Sequence, residues 1–63
     1  MTIALKALNH IQSLNYYWAR RYLRESCEKM YVLLGSKREI YDFKDGSRII
    51  YQSGINSFNE AVA

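Results

Sequence analysis

The stretch Asn15–Leu34, NYYWARRYLRESCEKMYVLL, decides how the fold is read. It holds the only Trp, Trp18, the only Cys, Cys27, four of the Tyr residues and the cluster Arg20, Arg21 and Arg24. No Gly or Pro occurs from Thr2 to Leu34, and Ala, Leu, Lys, Arg and Glu recur there. These residues lose little rotamer freedom in a helix, so the spacing predicts helix over about 3–34. Ala19, Leu23, Cys27, Met30 and Leu34 recur at helical intervals, as do Ala4, Leu8 and Ile11 upstream. At about 100° per residue the two apolar stripes lie roughly a quarter turn apart. A straight helix would also carry Gln12 and Asn15 into the apolar sector. The helix therefore bends, or it breaks near Ser13–Asn15, where Ser and Asn are natural caps. Gly35 reads as its stop, because glycine adopts the left-handed conformation that ends helices.

Downstream, Arg38–Gln52, REIYDFKDGSRIIYQ, is rich in Ile, Tyr and Phe around Asp45-Gly46, the signature of a β-hairpin. A two-residue loop would pair Phe43 with Arg48 and mix the faces. A three-residue loop, Lys44-Asp45-Gly46, pairs Tyr41 with Ile49 and Phe43 with Ser47. Tyr41, Phe43, Ile49 and Tyr51 then share one face, Ile40 meets Ile50, and Asp42 meets Arg48 as an opposite-charge pair. A lone hairpin is marginal in water, so its aromatic face should lie on the Leu23/Cys27/Met30 stripe. Ser57-Phe58-Asn59-Glu60 fits a capping box and predicts a short helical turn over about 58–63. The expected architecture is one small α+β domain, residues 1–63: a long bent or broken N-terminal helix, one antiparallel hairpin and a short C-terminal helical turn.

Sixty-three residues form a marginal core. A single Cys allows no internal disulfide, and one Cys with one His gives no protein-only zinc site. Self-association is the remaining device for a scaffold of this size, so a homodimer is expected. The net charge of +3 and pI near 9.2 are mildly basic and permit nucleic acid without arguing for it. A lone Cys and the absence of an export-like N-terminal run suit a cytoplasmic protein. No stretch approaches the roughly 20 apolar residues that span a bilayer, so no membrane partner is expected.

The candidate binding residues are Tyr17, Trp18, Arg20, Arg21 and Arg24. Arg21–Glu25, Arg24–Glu28 and Glu25–Lys29 are spaced as ion pairs along one helix side, which describes an ordinary solvated face. Tyr17 and Trp18 among those charges are the composition of interface hot spots. The same set suits bases stacked on aromatics with Arg on phosphates. Glu25 and Glu28 would repel phosphates, so a protein partner, including a second copy, ranks above nucleic acid. Cys27 falls on the apolar stripe as a small hydrophobe. His10, roughly 25 Å away along a straight helix, cannot serve as its base. Asp45-Gly46-Ser47 is turn chemistry without the Gly-rich, Lys-Ser/Thr pattern of a phosphate loop. Neither an enzyme nor a cofactor is expected; the reading is a small regulator acting by protein binding.

Overall fold

A computed structural model describes residues 1–61, and they form two short helices packed on one face of a four-stranded sheet. Helix α1 spans Ile3–Ile11 and α2 spans Tyr16–Ser26. Strands β1 (Lys29–Leu33), β2 (Arg38–Asp42), β3 (Arg48–Gln52) and β4 (Ser57–Ala61) follow as an antiparallel meander in the order β1-β2-β3-β4. This architecture corrects the expected one in three places.

The first correction is the long helix over 3–34. It breaks between Ile11 and Tyr16, and Asn15 caps α2 by accepting the backbone N–H of Trp18 at 3.1 Å. The quarter-turn offset of the apolar stripes has its cause here. Each helix turns its own stripe to the sheet, Ala4, Ala7 and Ile11 from α1, Ala19 and Leu23 from α2.

The second correction is the helix end. α2 stops at Ser26, and Cys27 is already extended (φ −79°, ψ 159°). Met30-Tyr31-Val32-Leu33 then runs as strand, paired along its length with β2. Aromatic and β-branched residues fit a pleated, half-buried surface. Beside a ready hairpin, pairing satisfies their backbone groups while Met30 still reaches the core. Gly35 is left-handed (φ 84°) as expected, but it serves the β1–β2 turn together with Lys37 (φ 58°).

The third correction is the C-terminal helical turn. Ser57–Ala61 pairs with β3 instead, through a turn with Asn56 at φ 49°. A helix of one and a half turns cannot sustain itself, whereas a strand there covers the edge of β3 and sets Phe58 on Tyr51 with ring centroids 4.7 Å apart. Residues 62–63 of that expected turn lie outside the described residues.

The central hairpin has the expected register, with Ile40 opposite Ile50, Tyr41 opposite Ile49 and Asp42 opposite Arg48. Gly46 is left-handed (φ 87°), and the Phe43 N–H donates to the Ser47 carbonyl at 2.9 Å. Tyr41, Phe43, Ile49 and Tyr51 are all buried on the face beneath the helices, joined at the margin by Cys27, Met30 and Phe58. The hairpin tip also holds α1. Asp45 accepts the Ile3 N–H at 2.8 Å and Ser47 Oγ accepts the Ala4 N–H at 3.0 Å, which satisfies donors a helix start leaves free. Asp45-Gly46-Ser47 is therefore a turn and a helix cap at once.

Two outcomes follow. Leu23→Ala, at a fully buried site, should cost about 2–5 kcal/mol in urea unfolding, while Leu34→Ala, at a residue 96% exposed, should leave stability unchanged. The Ile3 N–H, then the Ser47 hydroxyl and N–H, hold the Asp45 carboxyl down at about 2. A carboxylate depressed in the folded state stabilises above its unfolded value, near 3.9, and that contribution disappears as pH falls toward 2. Thermal melts of Asp45→Asn should lack this part of the acid dependence.

Candidate binding surface on helix α2

The first turn of α2 leaves Tyr16, Tyr17 and Trp18 outside the core. They are 50%, 52% and 53% exposed, because the residues that face the sheet from this helix are Ala19 and Leu23. Tyr17 and Trp18 stack edge to face at 5.0 Å, and the Arg21 guanidinium lies 5.8 Å from the Trp18 ring. Tyr17, Arg20, Arg21, Arg24 and Glu25 line one shallow depression. Four of the five residues singled out in the sequence thus share a site. Trp18 belongs to the adjoining depression, with Leu14, Arg21 and Tyr22.

The three arginines differ in what they are free to do. Arg20 is committed inward: its guanidinium meets the Glu39 carboxylate at 2.5 Å and lies 5.1 Å above the Tyr51 ring. Glu39 also accepts the Tyr41 hydroxyl. Burial alone would raise the Glu39 pKa, but the bonds from Arg20 and Tyr41 and the nearby charge of Arg24 outweigh it and leave the carboxyl below its usual range. The Tyr41 hydroxyl is pushed well above the usual phenol range, chiefly by burial and then by its bond to Glu39. Arg21 reaches Glu25 at 3.4 Å with both side chains mostly in water. Arg24 has no ion-pair partner among the described residues. The outward cationic surface therefore reduces to Arg21 and Arg24, with Glu25 beside them.

Sequence reasoning did not include Leu14, Tyr16, Leu34 and Ile55, which belong to the same end of the molecule. Ser53 N–H to Lys37 O (3.0 Å) and Gln52 Nε2 to Ser36 O (3.3 Å) tie the β3–β4 turn to the β1–β2 turn. Leu14 and Tyr16 of the α1–α2 joint line one groove with Asn56 and Phe58. Leu5 of α1 lines that groove too, while the other large exposed hydrophobics are Tyr17 and Trp18 in the first turn of α2, Val32 and Leu33 at the end of β1, and Leu34 and Ile55 in the two turns. The only signal of this in the sequence was Gly35 following two leucines, which also fits a helix stop.

The other face of the sheet carries no helix, yet it is not bare. Ile40 is 4% exposed, between its neighbours Tyr31 and Ile50. Asp42–Arg48 (2.5 Å) and Arg38–Gln52 (2.8 Å) flank that row. The hydrogen bond from Arg48, and then its charge, hold Asp42 below its usual range. Ile40 thus needs no partner to cover it. Cys27 is a free thiol, and burial, the leading cause, raises its pKa, the opposite of an activated nucleophile. His10 stacks on Tyr22 at 4.4 Å. Among the described residues no group of His, Cys, Asp and Glu could hold a metal ion, and no helix is long and apolar enough to cross a membrane.

Glu39→Gln should cost on the order of 1–3 kcal/mol in urea unfolding, because it weakens a partly buried charged network. Arg21→Ala should change nothing measurable. Wild-type stability should also fall as pH drops below the unfolded Glu value, near 4.3, since the depressed Glu39 carboxyl stabilises only while ionised. Glu39→Gln should flatten that limb. No protein-family model, curated protein or solved structure matches this chain.

Proposed function

We propose that the chain is a small non-enzymatic regulator that works by binding protein, and that it self-associates. The observation that carries this reading is the half-exposed Tyr16-Tyr17-Trp18 turn, with Tyr17 and Trp18 in edge contact and Arg21 over the Trp18 ring. Half-exposed, those three side chains alone offer on the order of 300 Å². Trp and Tyr with Arg at hand are the residues on which protein interfaces concentrate their energy. A free thiol in a chain without disulfides fits a cytoplasmic setting.

Nucleic acid is the weaker reading because of how the cations are used. Arg20 is neutralised by Glu39, Arg48 by Asp42, and Arg21 is shared with Glu25. Among the described residues, this leaves Arg24 alone beside the aromatic turn without an acid partner, and the other unpaired cations, Lys6, Lys29, Lys37, Arg38 and Lys44, are spread over other elements.

The test is affinity capture from native cell extract with the full chain immobilised. A protein retained by wild type should be lost with Trp18→Ala and with Tyr17→Ala, while circular dichroism stays unchanged. DNA and RNA oligonucleotides should give no gel shift at low salt. A shift that falls steeply with salt and vanishes in Arg21→Ala/Arg24→Ala would overturn the protein reading in favour of nucleic acid.

A further inference from the structure

We propose that the depression on α2 takes a single carboxylate of the protein partner, held by Arg24, with an apolar side chain of the same partner segment resting on Tyr17. The proposal rests on the protein-binding reading and names the chemistry that the partner presents. Tyr17, Arg20, Arg21 and Arg24 recur at helical spacing, so they share one side of α2 over two turns. Arg20 is closed by Glu39, and Arg21 is shared with Glu25. Arg24 is exposed, and among the described residues no acid pairs with it.

The free cation follows from where the helix ends. Spacing alone would give Arg24 the carboxylate of Glu28, four residues on. But α2 stops at Ser26, and Glu28 already donates its N–H to the Asp42 carbonyl at 2.8 Å as the chain enters the sheet. Glu28 lines a different depression, with Ile3, Cys27, Phe43 and Lys44. Arg24 lies near enough for its charge to act on Glu39. Both oxygens of that carboxylate are taken, however, by Arg20 and the Tyr41 hydroxyl. Three guanidinium groups thus face two carboxylates, Glu25 and Glu39, and one positive charge is left over.

One excess guanidinium fits one carboxylate better than a chain of phosphates. The guanidinium is a planar fork that meets a carboxylate through two parallel hydrogen bonds. A nucleic-acid strand carries a charge about every 3.4 Å, and Glu25, in the same depression, would repel the phosphates next to the one that Arg24 held. A peptide with one acid between uncharged residues meets no such repulsion. Tyr17 and Arg24 are seven residues apart, about 10 Å along the helix. An extended peptide covers that distance in three residues. The partner's apolar residue and its acid therefore stand three positions apart.

The probe is an N-acetylated, C-amidated serine peptide carrying a leucine pair and one glutamate three residues on, titrated into the isotope-labelled full chain. The Arg24 Nε–H and Trp18 indole N–H signals should shift together, and the same peptide with glutamine for glutamate should leave both unmoved. Arg24→Ala should keep its circular dichroism and weaken binding about tenfold, because a hydrogen-bonded charge is lost. Lys6→Ala, on α1, should bind as wild type does. If the glutamine peptide regains the shift once its C-terminus is a free acid, the site accepts a chain terminus as well as a side chain. Glutamate and glutamine peptides that bind alike or not at all, or binding undiminished in Arg24→Ala, would overturn the carboxylate site. Capture from extract separates this failure from failure of the underlying reading. A protein lost with Trp18→Ala yet retained by Arg24→Glu overturns the carboxylate site alone, whereas the absence of any Trp18-dependent capture overturns the protein reading.

Discussion

The structure depends on a size match between two helices and one sheet face. The helices contribute mainly small residues to the contact, Ala4, Ala7 and Ala19, with Ile11 and Leu23 at its centre. The sheet contributes Tyr41, Phe43 and Tyr51 with Ile49. Small on large lets the helix backbones approach the aromatic rings, as close-packed interiors require. A chain this short has few side chains to bury. Concentrating bulk on the strands and smallness on the helices makes one core from them.

The match also dictates how polar groups are handled. Tyr41 and Tyr51 bring hydroxyls into the core, and a buried hydroxyl without a partner is costly. Tyr41 donates to Glu39, which is held by Arg20, and Tyr51 donates to Asn56 at 2.6 Å. No buried side-chain nitrogen or oxygen among the described residues lacks a partner. Arg20 is therefore part of the scaffold. Its position in the sequence, next to Arg21 among aromatics, gave no hint that Glu39 would claim it.

The two ends of the molecule are then unlike each other. At one, the hairpin tip caps α1 and Thr2 meets Glu60, so backbone donors and charges are satisfied within the chain. At the other, three connections converge, and Leu14, Leu34 and Ile55 on them stay exposed. The β1 edge runs from the first end to the second. Apolar side chains stay exposed where the fold has no internal use for them.

The sequence by itself determined the features that depend on neighbouring residues. Asp45-Gly46 between alternating apolar runs settled the central hairpin and its register, because a one-residue slip would turn every buried side chain to water. The same local logic assigned Cys27 to packing and placed a possible break at Ser13–Asn15, where Asn15 caps α2. Only the tertiary structure decided the rest. Met30–Leu33 and Ser57–Ala61 have a helical pattern in isolation, and both are strands because the central hairpin offers each an edge with a full ladder of hydrogen bonds. Of the residues singled out, Tyr17, Trp18, Arg21 and Arg24 stayed outward, while Arg20 turned in toward an acid 19 positions away. Local patterns fix the phase of a segment. Which edge or charge will meet it depends on how the chain closes.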